Sequence, residues 1–158
     1  MCRCRNTSLR HHRVSQLIID TTNPGAFGAD GFRLVTAANG GSFSSSGESF
    51  AKFLPGADVV KAFNSIGAGL MANPIAHGKP LQMMWAGVQS PIAEGIIRDV
   101  GFEPHYVGGI IVSRNLESIC ELWVNLAYAY KVRCHRCGVS CTLHRGLALF
   151  AAPNAVCC

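Results

Sequence analysis

Three short apolar runs in this chain, "QLIID" (16–20), "DVVKAF" (58–63) and "PLQMMWAG" (80–87), each pass into a stretch of small or hydrogen-bonding residues, and helical patterns follow further along. Runs of this length bounded by turn residues read as buried strands. Buried strands that alternate with helices are best satisfied by parallel pairing through right-handed crossovers, because the helices supply both the return path and the cover for the sheet. The helix signals agree. Ser45 and Glu48 form a capping box that opens a helix from about 45 to 54, with Phe50, Phe53 and Leu54 at helical spacing and a stop at Pro55-Gly56. Ser90-Pro91 caps a second helix, along which Ile92, Ile96, Ile97 and Val100 are expected to line one side until Gly101 ends it. "FEPHYVGGII" predicts a short strand near Tyr106–Val107 and a Gly-Gly turn. Ser113 is expected to cap a last helix with an apolar stripe of Leu116, Ile119, Cys120, Trp123, Leu126 and Ala127. The Gly-, Ala- and Ser-rich stretch between the first strand and the first helix reads as a long loop, functional or mobile, with a short strand or turn around Phe32–Val35. The expected fold class is α/β, a doubly wound parallel sheet with helices on both faces.

In such sheets ligands bind outside the carboxyl ends of the strands. Those ends here read "DTTNP", "AFNSIGAG" and "AGVQSP", so Asn23, Asn64 and Ser65 are expected on one rim, with Gly25, Gly67 and Gly87 allowing close backbone approach to a flat ligand. An amide side chain both donates and accepts, which suits a carboxamide or a sugar hydroxyl. The same residues also suit plain helix caps and turns. Lys61, inside a strand, reads either as a solvent-facing edge residue or as a group reaching a cofactor phosphate. "GGSFSSSG" (40–47) precedes a helix and reads as a flexible loop or as an anion contact at the helix start. A G-x-G-x-x-G phosphate loop is absent from the sequence.

Charge and cysteine are partitioned along the chain. The net charge of +5 comes from residues 1–14 and 131–158, which contain no acid, whereas the middle carries six basic and nine acidic residues. An electrostatic footprint for nucleic acid is therefore not expected on the globular part. Seven of the eight cysteines also lie in the ends. "CHRCGVSC" with His144 has the spacing of half a metal knuckle, and no second well-spaced pair completes it, so no metal site is expected. No apolar run approaches the roughly 18 residues of a spanning helix, and no signal peptide is evident. The reading is a soluble, cytoplasmic chain with no membrane partner and with reduced thiols. "MCRCRNTSLRHHRV" is Arg-rich and acid-free like a transit peptide, though it lacks an amphipathic face. Three segments follow: a basic Cys/Arg/His-rich end (1–14), one domain (15–130) and a Cys-rich, disordered tail (131–158).

Within residues 16–130, "LIIDTTNP", "GESFAKFLPGADVVKAFNSIGAG", "DVGFEP" and "VGGIIVSRNLESICELWVNLAY" resemble the second half of the Rossmann-type domain of the deazaflavin-dependent NADP oxidoreductases. The chain is similar also to the cytosolic reductase domains of six-transmembrane metalloreductases. The most specific elements are "VVKAFN" and "SRNLES". The resemblance implies a partial Rossmann-like sheet lacking the amino-terminal half with the dinucleotide fingerprint. It implies hydride transfer between NADPH and a second acceptor, a deazaflavin, a flavin or a similar group. By the same resemblance Asn23, Pro24, Ala62, Phe63, Asn64, Ser65 and Gly87 would bind cofactor, while Gly109, Ser113, Arg114 and Glu117 would close the far wall or order the last helix. The unmatched ends are the Cys- and Arg-rich ones, which a truncated or mis-spliced reading frame accounts for, as does a shortened regulatory form.

Two other functions fit the residues. One is a non-catalytic subunit that docks through an open sheet edge onto a complete paralogue, or forms a homo-oligomer, using the 114–130 helix. The other is a metal-binding tail on an inert scaffold.

Overall fold

The computed structural model describes residues 16–129, residue 77 apart. Along the chain come β1 (Leu17–Asp20), β2 (Gly25–Gly28), β3 (Gly31–Leu34), α1 (Ser46–Phe53), β4 (Asp58–Lys61), α2 (Ala68–Ala72), β5 (Ile75–Ala76), β6 (Lys79–Pro80), β7 (Gln82–Gly87), α3 (Pro91–Asp99), β8 (Glu103–Gly108) and α4 (Ser113–Val124). A 3-10 turn over Ile110–Val112 leads into α4, and a π-helical turn over Asn125–Ala129 extends it. The expected basic end and Cys-rich tail, with the Cys134–His144 knuckle, lie outside the described residues.

The central sheet has the order β1-β4-β7-β8. Its outer pairs are parallel, with Leu17 opposite Asp58 and Gln82 opposite Glu103. Side chains alternate between two faces, as strand geometry requires. Val60, Ala62, Met83 and Trp85 pack with Ala93 and Ile97 of α3 in one core. Lys61, from the opposite face of β4, meets the start of α1 and the middle of α4. The class is thus the expected Rossmann-like α/β sheet with helices on both faces.

One junction departs from the uniformly parallel expectation: β4 and β7 are antiparallel, with Val60 opposite Gly87 and Lys61 opposite Ala86. The connecting residues explain why. The connection holds no crossover helix long enough to cover the sheet: the five residues of α2 rise only about 7.5 Å, against about 20 Å for the six residues of β7. The rest of the connection goes into the antiparallel pair β5–β6, so the chain doubles back instead of crossing over.

Two helices bury other rows than their apolar spacing suggests. In α3 the buried row is Ala93 and Ile97, one turn apart, whereas Ile92 is 68% exposed and Ile96 and Val100 also face outward. The sequence contains two rows at i, i+4 spacing, and the sheet takes the one whose alanine allows close approach. In α1 the buried residue is Gly47, where an added Cβ would lie 2.8 Å from the Cβ of Ser113. Phe50, Phe53 and Leu54 remain largely exposed. The long loop also holds more order than expected. β2 and β3 form an antiparallel hairpin with Gly25 opposite Leu34, and the Asn125 amide brackets its backbone, accepting from Phe32 N at 2.7 Å and donating to Phe32 O at 2.8 Å. Among the described residues no helix is long and apolar enough to cross a membrane.

Candidate functional site

Because β1 and β4 are parallel and in register, both carboxyl ends open on one rim. Asn23 and Asn64 meet there. Asn23 Nδ2 donates to the Asn64 carbonyl at 2.8 Å, and Asn64 Nδ2 donates to Asn23 Oδ1 at 2.9 Å and to the Leu116 carbonyl at 3.0 Å. The pair therefore ties the two strand ends to each other and to α4. Asn64 is buried, and among the described residues its Oδ1 has no partner. Ala62 is fully buried and Ser65 is nearly so. Pro24 is half-buried, and its carbonyl accepts from Val35 N at the hairpin.

Phe63 turns the chain between them. It adopts φ 62, the only left-handed non-glycine among the described residues, a conformation that costs an aromatic residue roughly 1 kcal/mol or more. Its amide donates to Met83 Sδ at 3.3 Å, and its ring meets Phe102 edge-on at 6.1 Å. The outer side of this turn opens onto a depression of about 440 Å³ lined by Thr21, Phe63, Met71 and Val100. Such a floor suits a flat, weakly polar ring.

Gly87 is not on this rim. The antiparallel junction points the carboxyl end of β7 back along β4, with Gly87 opposite Val60, where Val88 N donates to Val59 O and the Tyr106 hydroxyl donates to Gly87 O. Its glycine is required by protein backbone: at φ 127 an added Cβ would lie 2.2 Å from the Val59 carbonyl oxygen. Three coincident strand ends thus become two.

Behind the rim lies a buried ion cluster. Lys61 is neither at a solvent-facing edge nor extended toward a phosphate, since its side chain is wholly buried. Its Nζ donates to Asp20 Oδ2 at 2.8 Å, Glu117 Oε1 at 2.7 Å and Ser46 Oγ at 2.7 Å, and it also contacts the Thr22 carbonyl. Ser46 Oγ stands 2.7 Å from Asp20 Oδ2 and 2.6 Å from Glu117 Oε1, with one hydrogen to give to either. Glu117 Oε1 accepts in addition from Ser46 N at 3.0 Å, so a carboxylate meets the positive end of α1. Burial by itself would raise the Asp20 pKa. The Lys61 ammonium, the Thr22 amide and hydroxyl and the Ser46 hydroxyl outweigh it and hold the carboxyl below its ordinary value.

Around the cluster, α1 and α4 are cross-linked. The Ser45 and Ser113 hydroxyls lie 2.6 Å apart, while Arg114 grips Glu48 through Nε to Oε2 at 2.7 Å and Nη2 to Oε1 at 2.6 Å. Ser45 does cap α1 by accepting from Glu48 N. Ser113 caps nothing, because the 3-10 turn runs straight into α4 behind Val112. Cys120, also on α4, has its thiol pushed up to about 11, chiefly by burial. Sequence reasoning missed the roles of Asp20, Ser46 and Asn125. The available signal for Asp20 was a lysine within an apolar run, which demands a buried anion. Finding that anion requires the register that sets Asp20 beside Lys61.

The sequence matches no family model and no curated protein. Its structure is similar to that of a protein from Arthrobacter sp. FB24 assigned as an F420-dependent NADP reductase, with 26% identity, TM-score 0.58 and coverage of 72% of this chain and 52% of that one. A hypothetical protein from Sinorhizobium meliloti is similar with 28% identity, TM-score 0.51 and coverage of 62% and 47%. The chain thus spans about half the length of these solved structures. The resemblance noted from "VVKAFN" and "SRNLES" is matched by structural similarity to a reductase of Rossmann-like fold.

Proposed function

We propose that the rim formed by the β1 and β4 ends is the nicotinamide side of an NADP-binding cleft, in an oxidoreductase that passes a hydride between NADPH and a deazaflavin, flavin or similar acceptor. One observation carries this reading. In a fold similar to that of an assigned F420-dependent NADP reductase, the two parallel strand ends join Asn23 to Asn64, and their sequence neighbours Thr21 and Phe63 line an open, mainly apolar depression.

The residues fit the cofactor's ring portion. Thr21, Phe63, Met71 and Val100 offer an apolar floor that excludes water from one face of a flat ring. The orphaned acceptor, Asn64 Oδ1, has the chemistry to receive an amide hydrogen of a carboxamide. When bound, NADPH supplies the hydride, and the chain supplies position. Asn23 and Asn64, fixed to each other and to Leu116 O, hold the rim at a set width, and the left-handed turn at Phe63 sets the direction in which the backbone faces the cleft. Lys61 is saturated by its buried partners, so this side contributes no ammonium to the phosphates.

Titration of the full chain with NADPH, followed by quenching of Trp85 and Trp123 fluorescence, tests the proposal. Saturable quenching at submillimolar cofactor is expected, and no response up to millimolar NADPH would contradict binding by this chain.

A second reading rests on the position of β1. Among the described residues it occupies an end of the central sheet with β4 on one side only, and an unpaired strand edge is a template for another chain. On that reading the chain is a non-catalytic subunit of a complete paralogue. Sedimentation of a monodisperse monomer that ignores the paralogue would count against it.

A further inference from the structure

We infer that Lys61 is the positioning residue of the proposed cleft: its buried ammonium, without touching cofactor, sets the rim geometry by holding the β1 end, the start of α1 and the middle of α4 on one atom. The inference rests on the functional reading of the rim given above.

The rim consists of two short segments, residues 21–24 and 62–65. Lys61 is adjacent to the second in sequence. It reaches the first from behind, through Asp20 Oδ2 at 2.8 Å and through the carbonyl of Thr22. That carbonyl belongs to the peptide that leads into Asn23, so the ammonium orients the plane from which the Asn23 side chain departs toward Asn64 O and Asn64 Nδ2. The other two contacts, to Ser46 Oγ and Glu117 Oε1 at 2.7 Å each, brace the ammonium against α1 and α4. α4 in turn supplies the Leu116 carbonyl that accepts from Asn64. Each hydrogen bond that fixes the two asparagines therefore starts or ends on an element that Lys61 also holds.

Four acceptors surround three ammonium hydrogens, with Lys61 and Asp20 wholly buried and Glu117 nearly so. Burying such a cluster is a poor way to gain stability, because the desolvation of each ion offsets its attraction, and neutral replacements of similar volume often fold as well. Its distinguishing property is directional: an ammonium with fixed acceptors allows one arrangement of the attached segments, where an apolar side chain would allow several.

The test separates folding from positioning. In full-length chain, Lys61→Met is combined with Asp20→Asn and Glu117→Gln, so that no buried charge is left uncompensated. Three properties are then read: the cooperative thermal transition, the hydrogen-exchange protection of the Asn23 and Asn64 side-chain amides by NMR, and the NADPH dissociation constant. The expected result is a cooperative transition retained, amide protection lost and NADPH binding weakened about ten-fold or more, as misplacement of positioning groups produces. Protected amides with unchanged affinity in the folded variant would overturn the inference. Ser46→Ala is the second variant, for use if the triple variant fails to fold. It removes one strut without unmasking a charge and is expected to loosen the same amides by a smaller factor. Unchanged amides in that variant would also overturn the inference. If the unmodified chain binds no NADPH, the functional reading fails by itself, and the amide protection still decides whether Lys61 sets the rim.

Discussion

At the level of single residues, the ionisation of Asp20 is the feature with the plainest consequence. Its folded pKa lies below its ordinary value, so the stability it contributes is complete above about pH 4 and is lost as pH falls through the folded value. The stability gap between the parent chain and Asp20→Asn, read from urea midpoints, is therefore expected to be wide at pH 7 and to narrow toward pH 3. A gap that widens on acidification would contradict the assignment. Removing Lys61 alone strands two buried carboxylates, and Lys61→Met is expected to cost about 3–5 kcal/mol in denaturant unfolding. Cys120 gives an independent check. A thiol moved from 9.0 to about 11 has a thiolate fraction roughly 100-fold lower at mild pH. In the folded chain Cys120 should escape iodoacetamide at pH 8 and react once urea unfolds it, as peptide mapping would show. Of these residues, Cys120 on an apolar helical stripe and a lysine in an apolar strand were visible in the sequence. Which acid answers it depends on strand register, to which neither spacing nor composition speaks.

At the level of elements, local chemistry was legible wherever neighbours in sequence are also partners in space. Ser45 and Glu48 opened α1, Ser90-Pro91 opened α3, and Gly101 closed α3 at φ 102. Directions and faces were less legible. The reversal between β4 and β7 goes with a connection whose helix, α2, is too short to cover the sheet, and the seam of α3 depends on which of two rows the sheet accepts. The reversal has a mutational signature. Gly87→Ala places a Cβ against the Val59 carbonyl at a backbone angle that L residues rarely adopt, and a loss of at least about 3 kcal/mol is expected. The hairpin has its own signature: Asn125→Ala leaves both backbone groups of Phe32 without their side-chain partner. That loss should cost about 2 kcal/mol and expose the Phe32 amide to hydrogen exchange while leaving β4 protected.

For the whole molecule, the sheet and its flanking helices reproduce about half the length of two solved structures, one of them assigned as an F420-dependent NADP reductase. That half places the β1 and β4 ends on a shared rim, turns the chain at a strained Phe63 and backs both segments with a buried ion cluster. Gly87, expected on the same rim, lies inside the sheet opposite Val60, with β7 running back along β4. A ligand footprint on the chain is therefore expected to be asymmetric. The direct measurement is a two-dimensional 1H–15N spectrum of the full chain during NADPH titration. Shifts concentrated at Thr21–Asn23 and Ala62–Ser65, with Gly87 and Val88 unmoved, are the predicted result. Shifts centred on Gly87 and Val88, or none at the β1 and β4 ends under saturating cofactor, would contradict it.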